Sequence, residues 1–214
     1  MRTGIVLAGG RSSRFGSDKL AADFEGRALL AAAIEAVTSV ADDVVVAGPA
    51  LPAGFKAGDV PVALVRDREP VAGPLAALAT VLGTAVDPDP VADLAIVVGG
   101  DMPRLVPEVL QAMLDRLGDD PAIDAVLLGG PGSVDEEGGP QTSRRAVLPL
   151  AIRVGAARGA SADVVDAGDR SLQALVDRLA HVELPPPAWL PLDPDANTLL
   201  DVDTVGDLER IRRR

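Results

Sequence analysis

The chain has 214 residues, of which 48% are apolar and only 2% aromatic, with a net charge of −12 and no cysteine. That is enough apolar material for one sizeable core. With so few rings for base stacking and an acidic surface facing any phosphate backbone, a nucleic-acid partner is not expected, and without cysteine there is neither a disulfide framework nor a thiolate metal site. The start, Met1-Arg2-Thr3-Gly4, runs directly into an apolar strand with no signal peptide, and no apolar run reaches membrane-spanning length, so a cytoplasmic protein with no membrane partner is expected.

Gly4–Leu7 is a short apolar run suited to a buried strand, and it leads into Leu7-Ala8-Gly9-Gly10, two serines, Arg14, Gly16 and Asp18-Lys19. Glycines directly after a strand bare backbone N–H groups at the sheet edge, where an anion can approach closely. Arg14 and the loop lysine Lys19, read as exposed, add fixed positive charge to the same spot. Many donors, little bulk and two cations suit a phosphate chain. Neither the Walker A spacing nor Gly-x-Gly-x-x-Gly fits, because Gly16 is followed by Ser17-Asp18-Lys19 and Gly10 by Arg11.

Leu20–Gly26 reads as a loop or short extended piece closed by a turn, and Ala28–Val40 as a helix with Leu29, Ala33, Val37 and Val40 on one stripe. Strands are predicted at Val44–Gly48 and Val62–Val65, the latter ending at Arg66-Asp67. Gly73-Pro74 opens a helix to about Leu82. Leu94–Val98 is the most apolar strand and runs into Gly99-Gly100-Asp101-Met102-Pro103. A helix over Pro107–Leu117 and a strand over Asp124–Leu128 follow. The glycine- and proline-rich stretch Gly129–Arg145 can form neither helix nor strand and reads as a loop or lid. Beyond it come a strand at Leu148–Val154, helices at Ala160–Ala167 and Ser171–Ala180, a strand at Val182–Leu184 and a rigid spacer at Pro185–Pro187. A strand over Thr198–Asp203 and a capping box at Thr204–Asp207 open the last helix. The alternation of apolar strands and helices predicts an α/β, Rossmann-like, doubly wound and mostly parallel sheet, with residues 1–214 forming one domain. In such sheets ligands sit beyond the carboxyl ends of the strands, and Arg14, Lys19, Asp67 and Asp101 all follow strand ends.

Leu-Ala-Gly-Gly-x-Ser-x-Arg-Phe-Gly-x-Asp-Lys, as it stands from Leu7 to Lys19, resembles the signature of sugar-phosphate and cofactor nucleotidyltransferases. It is most similar to the molybdenum cofactor guanylyltransferase family, the MobA-like nucleotidyltransferases. The resemblance implies a magnesium-dependent transfer of GMP from GTP to molybdopterin, giving the guanine dinucleotide cofactor and pyrophosphate. It also implies that Arg14 and Lys19 hold phosphates, that the Leu7-Ala8-Gly9-Gly10 backbone lies along the nucleotide, and that Asp101 binds Mg²⁺. A carboxylate with phosphate oxygens and water is a suitable Mg²⁺ environment, although Asp101 also reads as a cap of the helix after it.

The family's tail pattern matches Asp201-Val202-Asp203-Thr204-Val205-Gly206-Asp207-Leu208, with Val205-Gly206 in place of Pro-Glu. Asp201 and Asp203 share one side of an extended chain. Either is the second metal carboxylate, with related transferases favouring the position of Asp203, or both are plain cap acids. Asp67 precedes Gly73-Pro74-Leu75-Ala76, as an aspartate does near the nucleotide in the guanylyltransferases; alternatively it belongs to the solvated charge run Arg66–Glu69. Ala47-Gly48-Pro49 replaces the family's Asn-x-Asn, and Gln141-Thr142-Ser143 stands where His-Pro-Thr is usual. Both departures bear on base and acceptor. Two alternatives remain: a cytidylyltransferase or other nucleotidyltransferase with a different phosphorylated acceptor, and a nucleotide-binding regulator without turnover. A molybdoenzyme or chaperone partner is not specified. His181 reads as structural or exposed.

Overall fold

The computed structural model describes residues 1–9, 15, 18–56, 58–66, 73–84, 93–130 and 146–213. Chain order begins with β1 (Arg2–Leu7), a 3₁₀ turn at Lys19–Ala21, and a small hairpin of β2 (Asp23–Phe24) and β3 (Arg27–Ala28). It continues through α1 (Leu29–Thr38), β4 (Asp43–Ala47), β5 (Val62–Val65), α2 (Pro74–Thr84), β6 (Leu94–Gly99), α3 (Pro107–Asp119) and β7 (Ala125–Leu128). The remainder is β8 (Leu150–Arg153), α4 (Val154–Asp166), α5 (Leu172–Val176), β9 (His181–Leu184), α6 (Pro186–Trp189), a 3₁₀ turn at Asn197–Leu199 and α7 (Val205–Arg212).

The described residues form a seven-stranded sheet in the order β5-β4-β1-β6-β8-β7-β9. Its strands run parallel except β8, which pairs antiparallel with both β6 and β7. Alternate residues of the central strands enter opposite layers: Val6, Ile96 and Val98 pack with Ile34, Val37, Leu110 and Met113, whereas Ile5, Leu7, Ala95 and Val97 pack with Leu75, Leu78 and Val164. Burial on both faces explains why these strands are continuously apolar. A third cluster, Phe24, Leu29, Ala32, Val202, Leu208 and Ile211, fastens the hairpin and α7 to α1. No helix among the described residues is long and apolar enough to cross a membrane.

Four expectations need correction. The predicted strand at Leu148–Val154 is β8, and it passes straight into α4 at Val154, six residues before the predicted helix start at Ala160. Arg153 is the N-cap position, so no loop separates the two elements. Pro185–Pro187 is no spacer: Pro186 and Pro187 occupy the first turn of α6, where a missing N–H leaves no bond unmade. Thr198–Asp203 is a 3₁₀ turn followed by unpaired extended chain rather than a strand. Finally, the helix placed at Ser171–Ala180 ends at Val176, with Ser171 as its cap.

Candidate active site

The sheet order changes direction at β1: α1 carries the chain to β4 on one side, and α2 returns it to β6 on the other. At such a switch point the two loops diverge and leave a crevice. β1 and β6 are hydrogen-bonded in register from Arg2 opposite Leu94 to Leu7 opposite Gly99. The Gly100 N–H then donates to the Leu7 carbonyl at 2.9 Å. The segments carrying Lys19 and Asp101 therefore leave one edge side by side.

Local sequence sets each side chain. Asp18 caps the 3₁₀ turn, its carboxylate accepting from the Leu20 N–H at 3.1 Å, which fixes the base of Lys19. Asp101 folds back over Gly99, where a Cβ would lie 2.5 Å from Asp101 Oδ1. Glycine at 99 is what permits that carboxylate orientation. The C-terminal segment is drawn in by the Val202 N–H, which donates to the Asp101 carbonyl at 3.0 Å. Val202 is fully buried among Phe24, Leu29 and Leu208, so its neighbours Asp201 and Asp203 face the other side of the extended chain. Behind them the capping box closes as the sequence indicates. Asp207 accepts from the Thr204 N–H at 2.8 Å and the Asp203 N–H at 3.3 Å, while Thr204 Oγ1 accepts from the Asp207 N–H at 3.1 Å.

The result is a cation between two carboxylates. Lys19 Nζ lies 2.7 Å from Asp101 Oδ2 and 3.3 Å from Asp203 Oδ1. The Lys19 side chain is only 13% exposed, which corrects its reading as an exposed loop lysine. Burial pulls the ammonium's pKa down, but the hydrogen bonds and charges of Asp101 and Asp203 outweigh it, and the net shift is upward. Partial burial, then the negative charges of Asp203 and Asp101, push the Asp201 carboxyl up.

Lys19, Asp101, Asp201 and Asp203 are thus brought together. Leu7 and Ala8 lie beneath them, buried at the end of β1, and Gly9 is exposed beyond. Gly10, Arg14 and Asp67 lie outside the described residues, as do Gln141-Thr142-Ser143 and most of the Gly129–Arg145 stretch. His181 starts β9, with Nδ1 3.1 Å from the Leu179 carbonyl oxygen, in keeping with a structural role. On the other layer, at the same edge, a cavity of about 640 Å³ is lined by Gly73, Pro74, Val147 and residues 169–173. Gly73 has φ +91° and abuts the Arg170 backbone, so the turn that opens α2 requires glycine.

A divalent cation is compatible with this donor set. No cluster of three or more His, Cys, Asp or Glu side chains suited to a metal occurs among the described residues. Two carboxylates that already share one cation match an ion completed by phosphate oxygens and water.

Comparison with known proteins bears on the family and the fold. The sequence model of the MobA-like NTP transferase domain family matches residues 4–183. A probable molybdenum cofactor guanylyltransferase from Chloroflexus aggregans is 32% identical over 99% of this chain and 94% of its own length. A molybdenum cofactor guanylyltransferase from Xanthomonas euvesicatoria pv. vesicatoria is 38% identical over 52% of this chain and 53% of its own. Among solved structures, the molybdopterin-guanine dinucleotide biosynthesis protein A from Archaeoglobus fulgidus superposes with a TM-score of 0.73 at 20% identity, covering 100% of this chain and 97% of that one. The 2-C-methyl-D-erythritol 4-phosphate cytidylyltransferase from Francisella tularensis gives 0.68 at 13% identity, covering 98% and 97%, and shares the fold. With the family model spanning most of the sheet and a relative similar along nearly the whole length, this chain belongs to the MobA-like NTP transferase family.

Proposed function

We propose that the protein is a guanylyltransferase acting as a single domain over residues 1–214, transferring GMP from GTP to molybdopterin and releasing pyrophosphate. The observation that carries the reaction class is the Lys19–Asp101–Asp203 cluster at the switch point of the sheet. The choice of substrates is supported by the relative named as a probable guanylyltransferase over 99% of the chain.

In this reading an oxygen of the acceptor's phosphate forms a bond to the α-phosphorus of GTP, and the bond from that phosphorus to the β-phosphate bridging oxygen breaks. Both electron pairs are accounted for, and the attacking phosphate is already anionic, so no protein base or nucleophile is required. The protein's work is positioning and charge neutralisation. Lys19 and Arg14 hold the β- and γ-phosphates. The Leu7–Gly10 backbone lies along base and ribose. Asp101 and Asp203 would hold Mg²⁺, which when bound neutralises the α-phosphate and acceptor oxygens. Asp203 is preferred over Asp201 because it shares the Lys19 ammonium with Asp101.

Asp67, which follows β5 in sequence, is assigned the guanine N1–H and N2 amino group. An unpaired buried donor costs about 1–3 kcal/mol, so Asp67→Ala should weaken GTP roughly ten- to a hundredfold and leave CTP almost unchanged. Calorimetric titration with GTP and CTP, together with pyrophosphate release in the presence of molybdopterin, tests the proposal. Preference for CTP would replace the guanylyl assignment with a cytidylyl one. Binding of GTP without pyrophosphate release would favour a nucleotide-binding regulator.

A further inference from the structure

Lys19 has two possible roles in one place. Its ammonium touches both carboxylates assigned to the metal, at 2.7 and 3.3 Å. Mg²⁺ binds carboxylate oxygens at about 2.0–2.1 Å, so a metal held by the same Asp101 and Asp203 oxygens would lie within contact distance of the ammonium. Two cations cannot share that volume. A cation between the carboxylates is nevertheless favoured, because Asp201 lies within electrostatic reach of both. The lysine is also the right kind of group to leave: a point charge on a four-carbon stem, anchored at a short turn capped by Asp18 and following the glycine-rich segment. A triphosphate arriving at that segment offers the ammonium a more highly charged partner.

We propose that Lys19 is an exchangeable internal counter-ion: it fills the cation position between Asp101 and Asp203 in the nucleotide-free protein and yields it to a divalent metal when a triphosphate draws the ammonium away. This rests on the assignment of Asp101 and Asp203 as metal ligands. The consequence is that the free enzyme has little affinity for divalent metal, and that metal and nucleotide support one another's binding through Lys19. Such coupling is reciprocal: whatever Lys19 costs the metal in the absence of nucleotide, the phosphates relieve.

The test is Mn²⁺ binding to nucleotide-free protein, read from the electron paramagnetic resonance signal of free Mn²⁺, with thermal melting as a second readout. Lys19→Met should bind Mn²⁺ roughly tenfold or more tighter than wild type, the usual size of a coupling between two sites. Mn²⁺ should raise the melting temperature of the variant and scarcely move that of wild type. Should Lys19→Met not fold, Lys19→Gln keeps a hydrogen-bonding head without the charge and serves in its place. Adding Asp101→Asn to either variant should abolish the gained site. If wild type and variant bind Mn²⁺ equally, and both lose it with Asp101→Asn, the exchange is overturned while the ligand assignment stands. If neither protein binds Mn²⁺, or the variant gains a site that Asp101→Asn leaves intact, both are overturned.

Discussion

Two cations of this molecule make the same kind of contact and do different things. Arg153, at the end of β8, is 2% exposed and donates to the carbonyls of Leu117, Asp120 and Ile123 at 2.5 to 2.9 Å. These oxygens belong to the last turn of α3 and the connection to β7, and they stay where the backbone puts them. The guanidinium fork fixes that joint. Lys19 also meets oxygens, but they are side-chain carboxylates that can take another cation in its place. A buried cation among carbonyls is a fastener, whereas one among carboxylates at a switch point is, in the proposal made above, a site.

The sharpest way to break this contrast is to remove each cation. Arg153→Leu strands buried carbonyls, and with about 1–3 kcal/mol for each unsatisfied group the loss should be about 3 kcal/mol. For a chain of this size that is a fall of roughly 6–12 °C in melting temperature. Transfer activity well below the melt should be intact. A variant that melts like wild type would deny Arg153 its fastening role.

Lys19→Ala should show the reverse balance. Losing a charged hydrogen bond to phosphate removes about 1.5–3 kcal/mol, so transfer should drop roughly ten- to a hundredfold. The stability loss should be near 1 kcal/mol, since the partner carboxylates remain partly solvated. A large loss of stability with transfer preserved in the remaining folded protein would make Lys19 a fastener too.

A smaller effect concerns the support behind Asp203. Thr204→Ala opens the capping box and should lower stability by about 1 kcal/mol in chemical denaturation. The Thr204 hydroxyl holds the Asp207 carboxyl below the ordinary 3.8, assisted by backbone N–H groups. A depressed pKa gives stability that is present above 3.8 and disappears as pH falls through the folded value. Wild type should therefore lose slightly more stability than Thr204→Ala on acidification below that point. Parallel pH profiles of the two proteins would remove Asp207 from the explanation.

Much of this was legible along the chain, and what was not has a common cause. Leu94–Val98 and its Gly-Gly-Asp exit could be read because burial on both faces leaves a continuous apolar run. The capping box could be read because its partners are three residues apart. Elements without polar punctuation were misjudged: β8 enters α4 at Val154 with no intervening loop. The reversed direction of β8 has no sequence signature, since the period of two is the same for either direction. Val202 was taken for part of a strand because apolar–polar alternation reports burial, while its N–H goes to the Asp101 carbonyl rather than to a ladder. The burial of Lys19 was out of reach locally, because its partners lie 82 and 184 residues away. Family resemblance named Lys19, Asp101 and Asp203; it did not say that the lysine touches both carboxylates.

The central claim is that the Lys19–Asp101–Asp203 cluster is the seat of guanylyl transfer, and Asp101→Asn addresses it most directly. The exchange keeps the size of the side chain and removes the charge a metal requires. With α-labelled GTP, Mg²⁺ and molybdopterin, wild type should form the guanine dinucleotide and release pyrophosphate. Asp101→Asn should be folded, retain part of its GTP binding and form almost no product. Undiminished product formation by that variant would contradict the account.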